Sequence, residues 1–144
     1  MNKKPDYSIK DGFDKMDFDR ATEMLKGAHW CIGIGKDEVI QGAVNSALLV
    51  GVFNSDNDQI GFSRVVSDKT RFAYILDVVV DENYRKQGIG QSMIKYILNH
   101  PDLKDVYQWV LLTKDAHGVY KKVGFKPIAN PDGWMEIRHE RPKR

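Results

Sequence analysis

The nine residues Phe72-Ala-Tyr-Ile-Leu-Asp-Val-Val-Val80 carry one charge, and together with the loop behind them they constrain the fold more than any other part of the chain. A segment apolar at nearly every position predicts a strand covered on both faces, lying centrally in a sheet beneath helices. It runs into Asp81-Glu-Asn-Tyr-Arg-Lys-Gln-Gly-Ile-Gly90 and then, without a break, into an amphipathic helix from Gly88 to Asn99. Ile89, Met93 and Ile97 fall on one line of that helix with Ile94 and Leu98 beside it, and Pro101 ends the segment. A strand, a basic glycine loop and a helix start, in that order, make an anion site. Gly88 and Gly90 let backbone N–H groups approach a ligand, the helix start adds unpaired N–H groups and the positive end of its dipole, and Arg85 and Lys86 add charge. The spacing suits a pyrophosphate. It is neither a Walker loop nor a dinucleotide fingerprint, whose third glycine would fall on Met93.

The remaining pattern is mixed. Tyr7–Ile9 predicts a short edge strand, and Asp17 is placed to cap a helix with Phe18, Ala21, Leu25 and Ala28 at helical spacing. A second helix is expected from about Asp37, with Val39, Ile40, Ala43, Val44 and Ala47 on one face. Leu48–Phe53 and Gln59–Val66 read as a hairpin around the Asx-rich turn Asn54–Asp58, and Ser67–Thr70 makes the next turn. Trp109–Thr113 is a further strand. Asp115 is placed to cap a short helix ending near Val123 with Gly124 as C-cap, and Trp134–His139 is a candidate last strand. Hairpins followed by a strand–helix–strand unit predict an α/β (α+β) fold: a single mixed, mostly antiparallel sheet with helices on both faces.

Size and composition bound the function. A chain of 144 residues reads as one domain, 1–144. A net charge of +2 leaves no basic stripe for nucleic acid, and no apolar run approaches the ~18 residues needed to span a bilayer. The single Cys31 excludes an internal disulfide framework, and His29, His100 and His139 show no metal-ligand spacing, so no metal is predicted. The start Met1-Asn-Lys-Lys-Pro-Asp6 lacks the apolar segment of a signal peptide, and a cytoplasmic protein is expected.

Arg85-Lys-Gln-Gly-Ile-Gly90 matches the Arg/Gln-x-x-Gly-x-Gly/Ala signature of the GNAT superfamily of acyl-CoA-dependent N-acetyltransferases. Asp115-Ala-His-Gly-Val-Tyr-Lys-Lys-Val-Gly-Phe125 resembles that family's Ala…Tyr-x-x-x-Gly-Phe segment, and Gly61-Phe-Ser-Arg64 resembles its Gly-Phe strand. The resemblance runs from about Asp37 to the end. It implies the acyl-CoA N-acyltransferase fold and acetyl-CoA as co-substrate. It places the pyrophosphate on the amides of Gln87, Gly88, Ile89, Gly90 and Gln91, with Arg85 and Lys86 in the same loop and Asp115 among the cofactor contacts. Val78 and Val80 become backbone partners of the pantetheine arm. An N–H near Val79 or Val80 polarises the acetyl carbonyl, a contact worth on the order of 3 kcal/mol if preorganised. Tyr120 matches the tyrosine near the thioester sulfur, a proton donor to the departing thiolate.

Asp77, the lone charge of the apolar strand, is the candidate general base; the alternative is a structural bond to a neighbouring strand, Arg64 or Arg71. Tyr74, Trp30, Phe62 and Arg64 are candidates for shaping the acceptor site, with core packing or pairing to Asp77 as the other reading. Cys31 lies far from both motifs in sequence, which argues against a cysteinyl acyl-enzyme. The function expected is acetyl transfer to a primary amine by direct attack in a ternary complex. The acceptor is a small molecule or peptide, and a homodimer is among the partners the resemblance implies. The competing reading is a CoA-binding sensor or regulatory domain without turnover, and a third is a nucleotide-binding interaction module.

Overall fold

A computed structural model describes residues 6–141 and 143–144, so most of the Met1–Asp6 start lies outside it. Five strands form one sheet in chain order: β1 (Tyr7–Asp11), β2 (Leu48–Asn54), β3 (Gln59–Ser67), β4 (Phe72–Val80) and β5 (Gln108–Leu111). The first four pair antiparallel, and β5 joins β4 in parallel after a helical crossover. Helices α1 (Phe18–Lys26) and α2 (Lys36–Val44) cover one face; α3 (Ile89–Leu98) covers the other, where Tyr120 of α4 (His117–Lys121) also packs. This is the mixed, mostly antiparallel sheet with helices on both faces that the pattern predicts.

Period-two alternation divides the core. Leu48, Val50 and Val52 of β2 face α3, while Leu49 and Phe53 face α1 and α2. Ile89, Met93, Ile94 and Ile97 of α3 are all buried, together contributing roughly 6–12 kcal/mol of gross hydrophobic stabilisation. Asp17 caps α1 as predicted, accepting from the N–H groups of Asp19 and Arg20 at 3.1 Å. The Asp17 N–H in turn donates to the buried Gln59 side chain at 2.7 Å, which fixes the start of α1 against β3. In α2 the buried residues are Val39 and Ala43; Val44, expected on the same face, is exposed. Five residues beyond Val39 is a rotation of about 140°, which carries Val44 off the stripe.

The predicted central strand is not central. β4 is the penultimate strand, and β5 pairs only with Phe72–Ile75, leaving Leu76–Val80 without a strand on their outer side among the described residues. Its continuous apolar pattern has a second cause. Arg64 pairs with Leu76 and Phe62 with Val79, so Asp77 and Val78 stand opposite the single residue Ser63. This is a β-bulge, with Asp77 in the left-handed region at φ 56, where Asp and Asn are tolerated better than most residues. The extra residue flips the alternation: Ala73 and Ile75 face α3 before the bulge, Val78 and Val80 after it, and Val79 turns to α1 and α2.

Two local expectations fail near the C-terminal end. Asp115 caps nothing; the Ala116 N–H donates to Thr113 Oγ1 at 3.1 Å, and Asp115 is exposed. Gly124, by contrast, ends α4 as predicted: at φ 103 it donates to the Lys121 carbonyl while the Phe125 N–H reaches back to Tyr120, both at 3.1 Å. Trp134–His139 forms no strand. Met135 and Ile137 are 95% and 88% exposed, and the segment pairs with no sheet edge. Alternation alone does not make a strand without a ladder to join.

Candidate active site

At the end of β4 the chain turns through a short 3-10 segment, Glu82–Tyr84, held by Asp81. The Asp81 carboxylate accepts from the Asn83 N–H at 2.8 Å and from Arg20 at 2.6 Å. Those contacts, the Asn83 N–H foremost, hold its pKa below the usual carboxylate range against the opposing effect of burial. Lys86 and Gly88 then both adopt left-handed backbone, at φ 64 and 78, which folds the loop over the start of α3. No side chain caps that helix, and its first backbone bond to the loop is Ser92 N–H to the Gly88 carbonyl. The N–H groups of Ile89, Gly90 and Gln91 therefore precede the helical ladder. Arg85, Lys86, Gln87 and Gly88 are exposed, and a Cβ built on Gly88 or Gly90 meets no atom within 4 Å. The loop is an open cradle of backbone donors under two cations, which fits a pyrophosphate. Arg85 also donates to the Val80 carbonyl at 3.2 Å, tying the cradle to the free edge of β4.

That edge and the cradle are continuous. The outer side of Leu76–Val80 offers main-chain groups to an extended ligand arm, as an added strand would be received. Tyr120 packs against the core cluster that Val78 and Val80 border, with the Phe125 ring edge-on at 6.1 Å. Its phenol pKa is raised by burial, so it stays protonated through the neutral range. Among the described residues nothing hydrogen-bonds to its hydroxyl. Asp115, before α4, and His117, its first residue, are exposed.

On the other face, the fold gathers four predicted residues. Asp77 Oδ2 accepts from Arg64 Nε at 2.7 Å, and Oδ1 accepts from Trp30 Nε1 at 3.1 Å. The Cys31 thiol also points to Oδ1, at 3.8 Å. Cys31, distant in sequence, is thus a direct neighbour of the β4 bulge; burial and the Asp77 charge push its pKa to about 11, which leaves it unreactive as a thiolate. Arg64 bonds further to Ser46 Oγ at 3.4 Å. Asp77, only 11% exposed, is committed on both oxygens and ties the α1–α2 connection to the sheet. Phe62 is fully buried and forms part of the wall of a cavity of about 440 Å³ that Arg64, Asp77 and Cys31 also line. Tyr74, half-buried on β4, lies outside that cavity. Glu38, Gln41 and Asn45 of the α2 region line it too, far in sequence from Phe62, Arg64 and Asp77.

A larger hollow of about 540 Å³ lies between β1 and α3. Three of its polar groups are bonded to one another: Asp11 accepts from the Tyr96 hydroxyl and from His100 Nε2, the latter at 3.2 Å. Its lining includes no residue of Leu76–Val80 or of Arg85–Gln91. Among the described residues no three His, Cys, Asp or Glu side chains converge as metal ligands, and no helix is long and apolar enough to cross a membrane.

Comparison with known proteins gives the family and the fold. The family model described as "Acetyltransferase (GNAT) domain" matches residues 46–127. The uncharacterized N-acetyltransferase ycf52 of Gracilaria tenuistipitata is 33% identical over 62% of this chain, which spans half the length of that relative. The chloroplastic GCN5-related N-acetyltransferase 1 of Arabidopsis thaliana is 26% identical over the whole chain and 80% of its own length. A crystal structure of a Xanthomonas campestris protein of the GNAT family superposes with a TM-score of 0.87, at 30% identity over 94% of both chains.

Proposed function

The chain belongs to the GNAT acetyltransferase family, and from that premise we propose that it transfers an acetyl group from acetyl-CoA to a primary amine by direct attack in a ternary complex. The observation that carries this reading is the continuity of the open β4 edge with the uncapped N-terminus of α3. Acetyl-CoA supplies the activated acyl group and a good leaving thiolate; the residues of this chain orient it and manage charge. The amides of Gln87 to Gln91 hold its pyrophosphate, with Arg85 and Lys86 adding charge. The main chain of Val78 and Val80 receives the pantetheine arm, and an N–H at Val79 or Val80 donates to the acetyl oxygen as it gains negative charge. The Tyr120 phenol, protonated at neutral pH, gives its proton to the departing sulfur.

Asp77 is a positioning residue in this scheme. Both of its oxygens are occupied, so the amine loses its proton to water, and Asp77 holds Trp30 and Cys31 beside the acceptor cavity. The acceptor enters from the α1–α2 face, where that cavity ends at the bulge. The buried, unreactive Cys31 suits a reducing compartment such as the cytoplasm. Calorimetric titration with acetyl-CoA, CoA and ATP, followed by thiol release across a panel of amines, tests the proposal. Tight CoA binding with no thiol release from any amine leaves the sensor reading in its place, and preference for ATP removes both.

A further inference from the structure

We propose that Glu38 recognises a second positive charge on the acceptor, so that the substrate class is a di- or polycationic amine. The inference rests on the acetyl-transfer reading above and names the acceptor for it. Within the cavity, Asp77 and Arg64 cancel each other through their 2.7 Å pair. That leaves Glu38 as the carboxylate that sets the sign of the mouth.

The chain itself fills this position with a cation. Arg144 grips Glu38 with two nitrogens, Nε to Oε1 at 3.2 Å and Nη2 to Oε2. Its side chain is 18% exposed and that of Glu38 51%: the Arg144 stem has a seat on the protein while the ion pair lies at the surface. Part of that seat is Gly33 of the α1–α2 connection, where an added Cβ would come within 3.3 Å of the Arg144 Cβ. Arg141 makes a second contact from the same segment, donating to the Trp30 carbonyl at 3.1 Å. Two guanidinium groups thus reach the α1–α2 region from the C-terminal part of the chain, one of them on a carboxylate that lines the acceptor cavity. A surface ion pair gives only a few-fold preference, so the Arg144–Glu38 pair is readily exchanged for another cation. Arg144 acts as an intramolecular stand-in that a cationic acceptor displaces.

The test uses the full chain with acetyl-CoA and compares an alkyl monoamine with α,ω-diamines of increasing length. The diamine of best-fitting length should show a KM about 5-fold below that of the monoamine. Glu38→Gln should remove that advantage, and Arg144→Gln should enlarge it a few-fold. A diamine advantage that survives Glu38→Gln, or its absence in both wild type and Arg144→Gln, overturns the assignment. A second arm needs no turnover: calorimetry of an unreactive bis-quaternary ammonium ion on the Arg144→Gln protein, with tetramethylammonium as the monocation. Preferential dication binding that Glu38→Gln abolishes supports the site, and equal binding of the two ions overturns it. Thiol release from no amine, with dication binding intact, defeats the transfer reaction but not the cation site.

Discussion

Replacing Gly90 by alanine separates what the loop does for the ligand from what it does for the fold. Gly90 is the second residue of α3, outside the left-handed region, and an added Cβ there meets no protein atom within 4 Å. Alanine is favoured over glycine in a helix by roughly 0.5–1 kcal/mol, an upper bound this close to the end. The fold should therefore hold or gain, with a rise in Tm of up to about 5 °C. The same methyl group stands in the mouth of the cradle, where the backbone must meet the pyrophosphate. Loss of that approach should cost about 2 kcal/mol, or ~30-fold in CoA affinity. Stability and affinity are thus expected to move in opposite directions. Gly88→Ala lacks this resolving power, because φ 78 puts about 1–2 kcal/mol of backbone strain into the folded state. The assay is scanning calorimetry of the free protein beside isothermal titration of CoA and desulfo-CoA, both ligands weakening alike because the thiol is remote from the loop. Wild-type CoA affinity in a well-folded Gly90→Ala protein would refute the assignment of the loop.

Tyr120→Phe should lower kcat and kcat/KM together by about 10²–10⁴-fold while acetyl-CoA affinity, measured separately, stays near wild type; equal kcat would reduce Tyr120 to a packing residue. Asp77→Asn keeps a residue that accepts φ 56 but removes the charge facing Arg64 and weakens the hold on Trp30. It should cost about 1.5–3 kcal/mol in urea unfolding and shift Trp30 emission while leaving the shape of the pH–rate profile unchanged; loss of the acidic limb at unchanged stability would restore Asp77 as the base. Tyr96 donates to Asp11, and that bond, with burial, raises its pKa to about 12 from an ordinary value near 10. Its contribution to stability is complete below pH ~10 and is lost as pH climbs toward 12, because only the unfolded chain ionises in that window. Unfolding of wild type and Tyr96→Phe from pH 9 to 11.5 should show their difference shrinking; a constant difference contradicts the linkage.

The parts of this fold that were legible in the sequence are those decided within a few residues. The buried face of α3, the cap at Asp17, the left-handed end of α4 at Gly124 and the glycine loop all rest on local geometry, and each stands where the pattern puts it. Asp77 shows the limit. An acid in an apolar strand reads as a catalytic candidate or a structural partner of Arg64; that it is also the bulge residue is visible only once Ser63 is known to face two partners. The continuous apolar run misplaced β4 for the same reason, since a flip in alternation resembles burial on both faces. Trp134–His139 alternates like a strand, but pairing is a property of two segments, and this one joins neither of the free sheet edges. Cys31 beside Asp77, and Arg144 on Glu38, are contacts across long stretches of chain that no local signal announces.

The open edge of β4 has a consequence for how the protein survives in concentrated solution. Main-chain groups without partners are a template for any passing strand, and such edges seed polymers. Here the exposed stretch is only Leu76–Val80, bent by the bulge and interrupted by a carboxylate turned onto the α1–α2 face. These are devices that blunt an edge: brevity, a kink and a charge. A smoother strand would bind a ligand arm over a longer ladder, but it would also invite copies of itself. If the edge receives the pantetheine arm as proposed, the co-substrate also closes the remaining gap, and its supply then bears on colloidal stability.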